Sequence, residues 1–231
     1  MPNKLEFNQL NQKMRFKERK FKFTQNQIDF LKTTLEDKTK LMFLSGPAGT
    51  AKTYMAVYSA LQVMMDSGLE KDILYVRSIA ESSQKSLGSL PGSIDEKFGV
   101  FAGPFYDKMD EMLHASDIKA LRDKNQFQCM PVNFVRGSNW NDTIVIIDEA
   151  QNFTRNELMT VLTRIGEDSK IIICGDMTQA DIKGSGFKKV FDTFNDEESK
   201  ENGIICTEFG YEDIKRSEIL KFIVKKLEDN I

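Results

Sequence analysis

The chain has 231 residues, 40% of them apolar, and its 32 basic and 35 acidic side chains leave a formal net charge of -3. That length supports one substantial core rather than two full nucleotide-binding domains, and the near balance of charge excludes global basicity as a route to nucleic acid. Three scattered cysteines (Cys129, Cys174, Cys206), a lone His114 and no apolar run approaching ~20 residues argue against a disulfide frame, a Cys/His zinc site and a membrane span, which points to a cytoplasmic protein with reduced thiols.

The amino terminus, Met1-Pro2-Asn3-Lys4, lacks the apolar centre of a signal peptide. Residues 1–23 form a basic leader ending in Arg15-Phe16-Lys17-Glu18-Arg19-Lys20-Phe21-Lys22-Phe23. Interleaved rings and cations suit base stacking with phosphate neutralisation. The same alternation suits an edge strand that buries its rings, the reading favoured slightly. The main domain is taken as residues 24–231. Thr24 can cap a helix carrying Ile28, Leu31 and Leu35. Gln27 in that helix has the paired donor and acceptor that read adenine, and an exposed helical glutamine accounts for it equally well.

Leu41 to Leu44 reads as a strand, followed by Gly46-Pro47-Ala48-Gly49-Thr50-Ala51-Lys52-Thr53 and an apolar helix, Tyr54 to Met65, that stops at Asp66-Ser67-Gly68. Ile73 to Val76 is a second strand. From Ser78 to Met130 periodicity weakens among Gly88, Pro91, Gly92, Gly99, Gly103 and Pro104. This predicts an insertion of loops and helices at about 78–130, with a helical stretch around Tyr106 to Leu113. Further strands are expected at Thr143 to Ile147, Ile171 to Cys174 and Ile204 to Thr207. Helices are expected near Arg155 to Ile165, Phe187 to Phe194 and Tyr211 to Leu227. Apolar runs without alternation belong to strands buried on both sides, so the pattern predicts an α/β fold, a mostly parallel sheet with helices on both faces.

Such sheets bind ligands beyond the carboxyl ends of their strands, where Lys52, Arg77, Asp148 and Asp176 all fall. A loop of small residues between a strand and a helix lets backbone N–H groups point at phosphate oxygens, with the helix dipole adding to the field. Lys52 would reach the β- and γ-phosphates of ATP, and the Thr53 hydroxyl would meet Mg2+. Ala51 stands where such loops usually have glycine; a left-handed backbone there would cost about 1–2 kcal/mol. Asp148 is placed to hold Mg2+ through water, and Glu149 to orient and deprotonate the attacking water. Gln179, in Gly175-Asp176-Met177-Thr178-Gln179, can hydrogen-bond the γ-phosphate or that water. Arg77, Arg136, Arg164 and Arg216 are candidates for the remaining transition-state charge.

From about Gln27 to Leu227 the chain resembles the PhoH-like family, single-domain ATPases related to the first domain of superfamily 1 helicases. The resemblance is carried by the phosphate loop, Leu87-Gly88-Ser89-Leu90-Pro91-Gly92, Asp148-Glu149-Ala150-Gln151-Asn152 with Thr154, Leu162-Thr163-Arg164-Ile165-Gly166, and Gly175-Asp176 with Thr178-Gln179. It implies a RecA-like P-loop NTPase fold, Mg-dependent ATP hydrolysis, and a helicase-like role on RNA in preference to DNA. It also implies that Arg216, in Asp213-Ile214-Lys215-Arg216, stands near the phosphates. The chain departs from the family at Ala51, at Ser78 where proline is common, at Ser217 where histidine is usual, and at Arg136-Gly137-Ser138, which lacks a second arginine. Translocating helicases place nucleotide between two such domains. With only one here, the second wall is expected from another copy, in a homo-oligomeric ring. The competing functions are a small-molecule or nucleotide kinase and an ATP-responsive binding module with little turnover.

Overall fold

The computed structural model of the chain describes residues 15–19, 21–78, 94–135, 137, 139–180 and 182–228. Six strands, β1 (Leu41–Ser45), β2 (Asp72–Arg77), β3 (Phe127–Pro131), β4 (Thr143–Asp148), β5 (Lys170–Gly175) and β6 (Ile204–Glu208), form one sheet in the order β3-β2-β4-β5-β1-β6. Every pairing in it is parallel. The helices are α1 (Gln25–Leu35), α2 (Lys52–Asp66), α3 (Ile94–Met112), α4 (Ala115–Asp123), α5 (Arg155–Leu162), α6 (Phe187–Phe194), α7 (Glu197–Glu201) and α8 (Glu218–Glu228).

Strands β1 and β5 are buried at every position, and β4 at all but its first. Successive strand side chains point to opposite faces, so each strand feeds two cores. Met42, Leu44, Ile146 and Ile172 meet Met55 and Leu61 of α2 and Phe105 and Met109 of α3 on one face. Phe43, Val145, Ile147 and Ile173 meet Leu158 of α5 and Phe187 and Phe191 of α6 on the other. Strand β5 separates β1 from β4, so residues leaving the carboxyl ends of these three strands emerge side by side along one rim.

Three expectations are corrected, and helices are found in the 78–130 span where they were expected. Among its described residues the leader forms no strand: residues 15–19 and 21–23 run irregularly, with the Lys17 N–H donating to the Met112 carbonyl at 2.7 Å. Its rings are nonetheless engaged, Phe16 and Phe23 against Tyr58 and Phe21 against Tyr54, at centroid distances of 4.6, 5.3 and 4.9 Å. In the span taken as an insertion, α3 begins at Ile94 and carries Pro104 in its interior. The lost N–H is offset by burial of Ala102, Phe105, Met109 and Met112. The same span holds β3, whose mixed residues Phe-Gln-Cys-Met-Pro suit an edge strand with one partner. The last helix starts at Glu218 rather than Tyr211, because residues 211–213 form a single tight turn and Ile214 is buried before the helix begins. Leu87 to Gly92, Arg136 and Ser138 lie outside the described residues. Among the described residues, no helix is long and apolar enough to cross a membrane, and Cys129, Cys174 and Cys206 are free thiols.

Candidate active site

Strand β1 delivers the chain into residues 46–51, and α2 starts immediately at Lys52. Gly49 has φ +87, a region open to glycine, and a Cβ there would lie 3.0 Å from Leu220 Cδ2. Ala51 occupies the left-handed region at φ 65, ψ 29, so the strained alternative weighed for this position is the one realised. Replacing Ala51 by glycine is expected to stabilise the fold by about 0.5–1 kcal/mol, the left-handed strain relieved less the added chain entropy. Urea unfolding of the two proteins measures it. Lys52 Nζ donates to the carbonyls of Gly46 and Pro47 at 2.6 and 3.0 Å, so its ammonium folds back over the loop.

Across β5, the first turn of α2 meets the end of β4. The Thr53 hydroxyl donates to Asp148 Oδ1 and Oδ2 at 3.0 and 3.2 Å, and the Tyr75 hydroxyl donates to Oδ2 at 2.6 Å. Burial, with Asp148 beside it, pushes the Tyr75 hydroxyl far above its ordinary range, so it remains a donor. Burial also raises the Cys174 thiol well above its usual value, which keeps it neutral beneath the loop. A hydroxyl and a carboxylate at this separation suit Mg2+, which takes few protein ligands and completes its shell with phosphate oxygens and water. No cluster of three or more His, Cys, Asp or Glu side chains able to cage a metal occurs among the described residues.

Glu149 also has a left-handed backbone, φ 53 and ψ 45. Its Oε1 lies 3.4 Å from Arg77 Nη2, and its Oε2 accepts from Gln151 Nε2 at 2.5 Å. Gln151 Oε1 in turn accepts the Asp176 N–H at 3.0 Å, tying the residues that follow β4 to those that follow β5. Asp176 is 4% exposed; its Oδ1 accepts the N–H and hydroxyl of Thr178, while Oδ2 has no hydrogen-bond partner. The last residue of β5 is glycine, and a Cβ there would lie 2.5 Å from the Phe187 ring.

A cleft of about 330 Å³ opens at this rim. Gly49, Ala51, Lys52, Thr53, Asp148, Glu149, Gln179 and Arg216 all border it. Arg216 is brought there because the Lys215 N–H donates to the Gly49 carbonyl at 2.9 Å. Gln27 is placed otherwise: 0% exposed, it donates Nε2 to the carbonyls of Thr50 and Asp213, both at 3.1 Å, and accepts the Thr24 N–H in the α1 capping box. Its amide braces the loop, with Nε2 and Oε1 both engaged by the chain itself. Arg77 meets Glu149, and Arg164 lies at the opposite rim, where its carbonyl accepts the Trp140 N–H ahead of β4.

Sequence reasoning assigned no role to Tyr75, which the structure brings to the Asp148 carboxylate, and read Gln151 only within its motif and Phe21 only within the leader, whereas both border the cleft. A tyrosine inside an apolar strand needs a partner for its hydroxyl, and that signal was available. The brace on the loop also rests on Asp213, wholly buried, whose carboxylate accepts from the Thr24 hydroxyl, Asn26 Nδ2 and the Gly210 N–H. Asp213→Ala is expected to destabilise the protein by about 2–3 kcal/mol by orphaning these donors, measurable as a lower urea midpoint.

The family model described as PhoH-like protein matches residues 21–228. A PhoH-like protein of Bacillus subtilis (strain 168) is 39% identical over 145 residues, covering 63% of this chain and 45% of that one. Protein PhoH of Escherichia coli (strain K12) is 34% identical over 196 residues, covering 83% and 53%. The chain therefore spans about half the length of the curated relatives it matches. Among solved structures, Pif1 helicase from Candida albicans is similar at a TM-score of 0.39 and 19% identity over 82% of this chain and 40% of that one. Bacteroides Pif1 bound to ssDNA is similar at 0.37 and 16% over 82% and 42%. A match that runs through every segment bordering the cleft makes this chain a member of the PhoH-like family.

Proposed function

We propose that this chain binds Mg·ATP in the cleft and hydrolyses it, with turnover coupled to single-stranded nucleic acid, RNA in preference to DNA. The observation that carries the reading is the Thr53 to Asp148 hydrogen bond, which joins the phosphate-loop helix to the acidic end of β4 with Glu149 alongside. Loop N–H groups and the α2 dipole would hold the phosphates, and Lys52 would exchange its two carbonyl partners for β- and γ-phosphate oxygens. Bound Mg2+ supplies charge neutralisation and polarises the γ-phosphoryl group. Thr53 and Asp148 would hold it, with the Tyr75 donor fixing the carboxylate.

Glu149 accepts the proton of the water whose oxygen bonds to the γ-phosphorus. The bond from that phosphorus to the β,γ-bridging oxygen breaks, and the electron pair leaves with ADP. Gln179 would steady the water or the γ-phosphate, and Arg216 would offset charge developing on the phosphoryl oxygens. A homo-oligomeric ring would close the open side of the cleft with a second copy.

Steady-state release of inorganic phosphate, with and without poly(U) and oligo(dT), tests the reading. It predicts Mg-dependent release that rises with polymer. Transfer of labelled phosphate to a nucleoside or sugar would make the protein a kinase, and tight ATP binding without release would make it a binding module. Sedimentation of a monomer with full, concentration-independent turnover would remove the ring.

A further inference from the structure

Glu149 is held from two sides. The sheet places β2 on one side of β4 and β5 on the other, and each side reaches the same carboxylate. From β2, Arg77 Nη2 stands 3.4 Å from Oε1. Toward β5, Gln151 binds Oε2 while its own oxygen accepts the Asp176 N–H. The phosphate loop follows β1, which lies beyond β5, so the Gln151 tether is on the phosphate side and the Arg77 tether draws the carboxylate away from it. The left-handed backbone of Glu149 marks a position fixed by its surroundings rather than by its own preference.

The Arg77 contact is open to exchange. Its side chain is 27% exposed and that of Glu149 38%, a setting in which ion pairs are weak. Arg77 ends β2 in register with Pro131, the last residue of β3, and three residues further on Phe134 is 61% exposed at the same rim. A guanidinium takes a phosphodiester bidentately, and an exposed ring offers a stacking surface to an unpaired base.

We propose that Arg77 is a strand sensor. Single-stranded nucleic acid docking on Phe134 and Arg77 takes the guanidinium from Glu149 and leaves the carboxylate on its Gln151 tether, on the side of the phosphates. The inference rests on the hydrolase reading above and names how polymer and turnover communicate.

The test measures phosphate release by wild type and Arg77→Gln without polymer and with poly(U) or oligo(dT), with Arg77→Lys and Arg77→Gln/Glu149→Gln in parallel. Arg77→Gln should raise polymer-free turnover about two- to fivefold, the range a half-exposed ion pair can hold back, and should lose most of the stimulation by polymer. Arg77→Lys, which keeps the charge without the fork, should fall between, and the double variant should show no gain. Phe134→Ala should weaken poly(U) binding about five- to 100-fold, the worth of one stacked base. Slower polymer-free turnover by Arg77→Gln with Arg77→Lys equally slow, or undiminished stimulation, overturns the sensor. So does a wild type that hydrolyses ATP without responding to either polymer. A wild type that releases no phosphate under any condition is a separate result, because it strikes the hydrolase reading first and the sensor with it.

Discussion

Lys52→Ala is expected to lower kcat/KM for ATP hydrolysis by at least about 10²–10³-fold, the usual cost of deleting a donor aimed at charge that develops in the transition state. The ammonium is the one cation that begins α2, on the same turn as Thr53 and next to the loop whose carbonyls it now contacts. Those carbonyls are only part-buried, so the stability change should be small, about 1 kcal/mol. A large kinetic loss beside a small thermodynamic one is the signature of a residue that serves the ligand. Thermal unfolding and steady-state kinetics on the same preparation separate the two.

Glu149→Gln should behave differently. The substitution keeps the shape and the left-handed backbone but removes the proton acceptor, so kcat should fall about 10²–10⁴-fold while KM for ATP stays within a few-fold of wild type. In the proposed reading binding depends on the loop, Lys52 and the Thr53–Asp148 pair, whereas the Glu149 carboxylate is held by Gln151 and Arg77. Single-turnover kinetics would check that the loss lies in the chemical step. A kcat within a few-fold of wild type would remove Glu149 as the base and leave the water to another group.

The strands β1, β4 and β5 were legible because burial on both sides removes alternation, leaving Leu-Met-Phe-Leu, Ile-Val-Ile-Ile and Ile-Ile-Ile-Cys as plain apolar runs. The convergence of residues 46–53 and Asp148-Glu149 at one rim was legible because both directly follow such runs in a parallel sheet. Edge strand β3 was not, since a strand with one partner tolerates the mixed sequence Phe-Gln-Cys-Met-Pro. Gln27 illustrates a deeper limit. Its burial against the Thr50 and Asp213 carbonyls, distant in sequence, follows from tertiary packing rather than from any local pattern. The Arg77 to Glu149 pair has the same character: both residues stood out as functional, yet their contact follows from strand order, which no local pattern encodes.

Calorimetric titration of Mg·ATP into folded protein, wild type against Lys52→Ala, tests the central claim most directly. Wild type should show saturable binding at one site per chain that weakens sharply without Mg2+ and in the variant. Folded wild type with no uptake of Mg·ATP, or a variant that binds as tightly as wild type, would contradict the assignment of this rim as a triphosphate site.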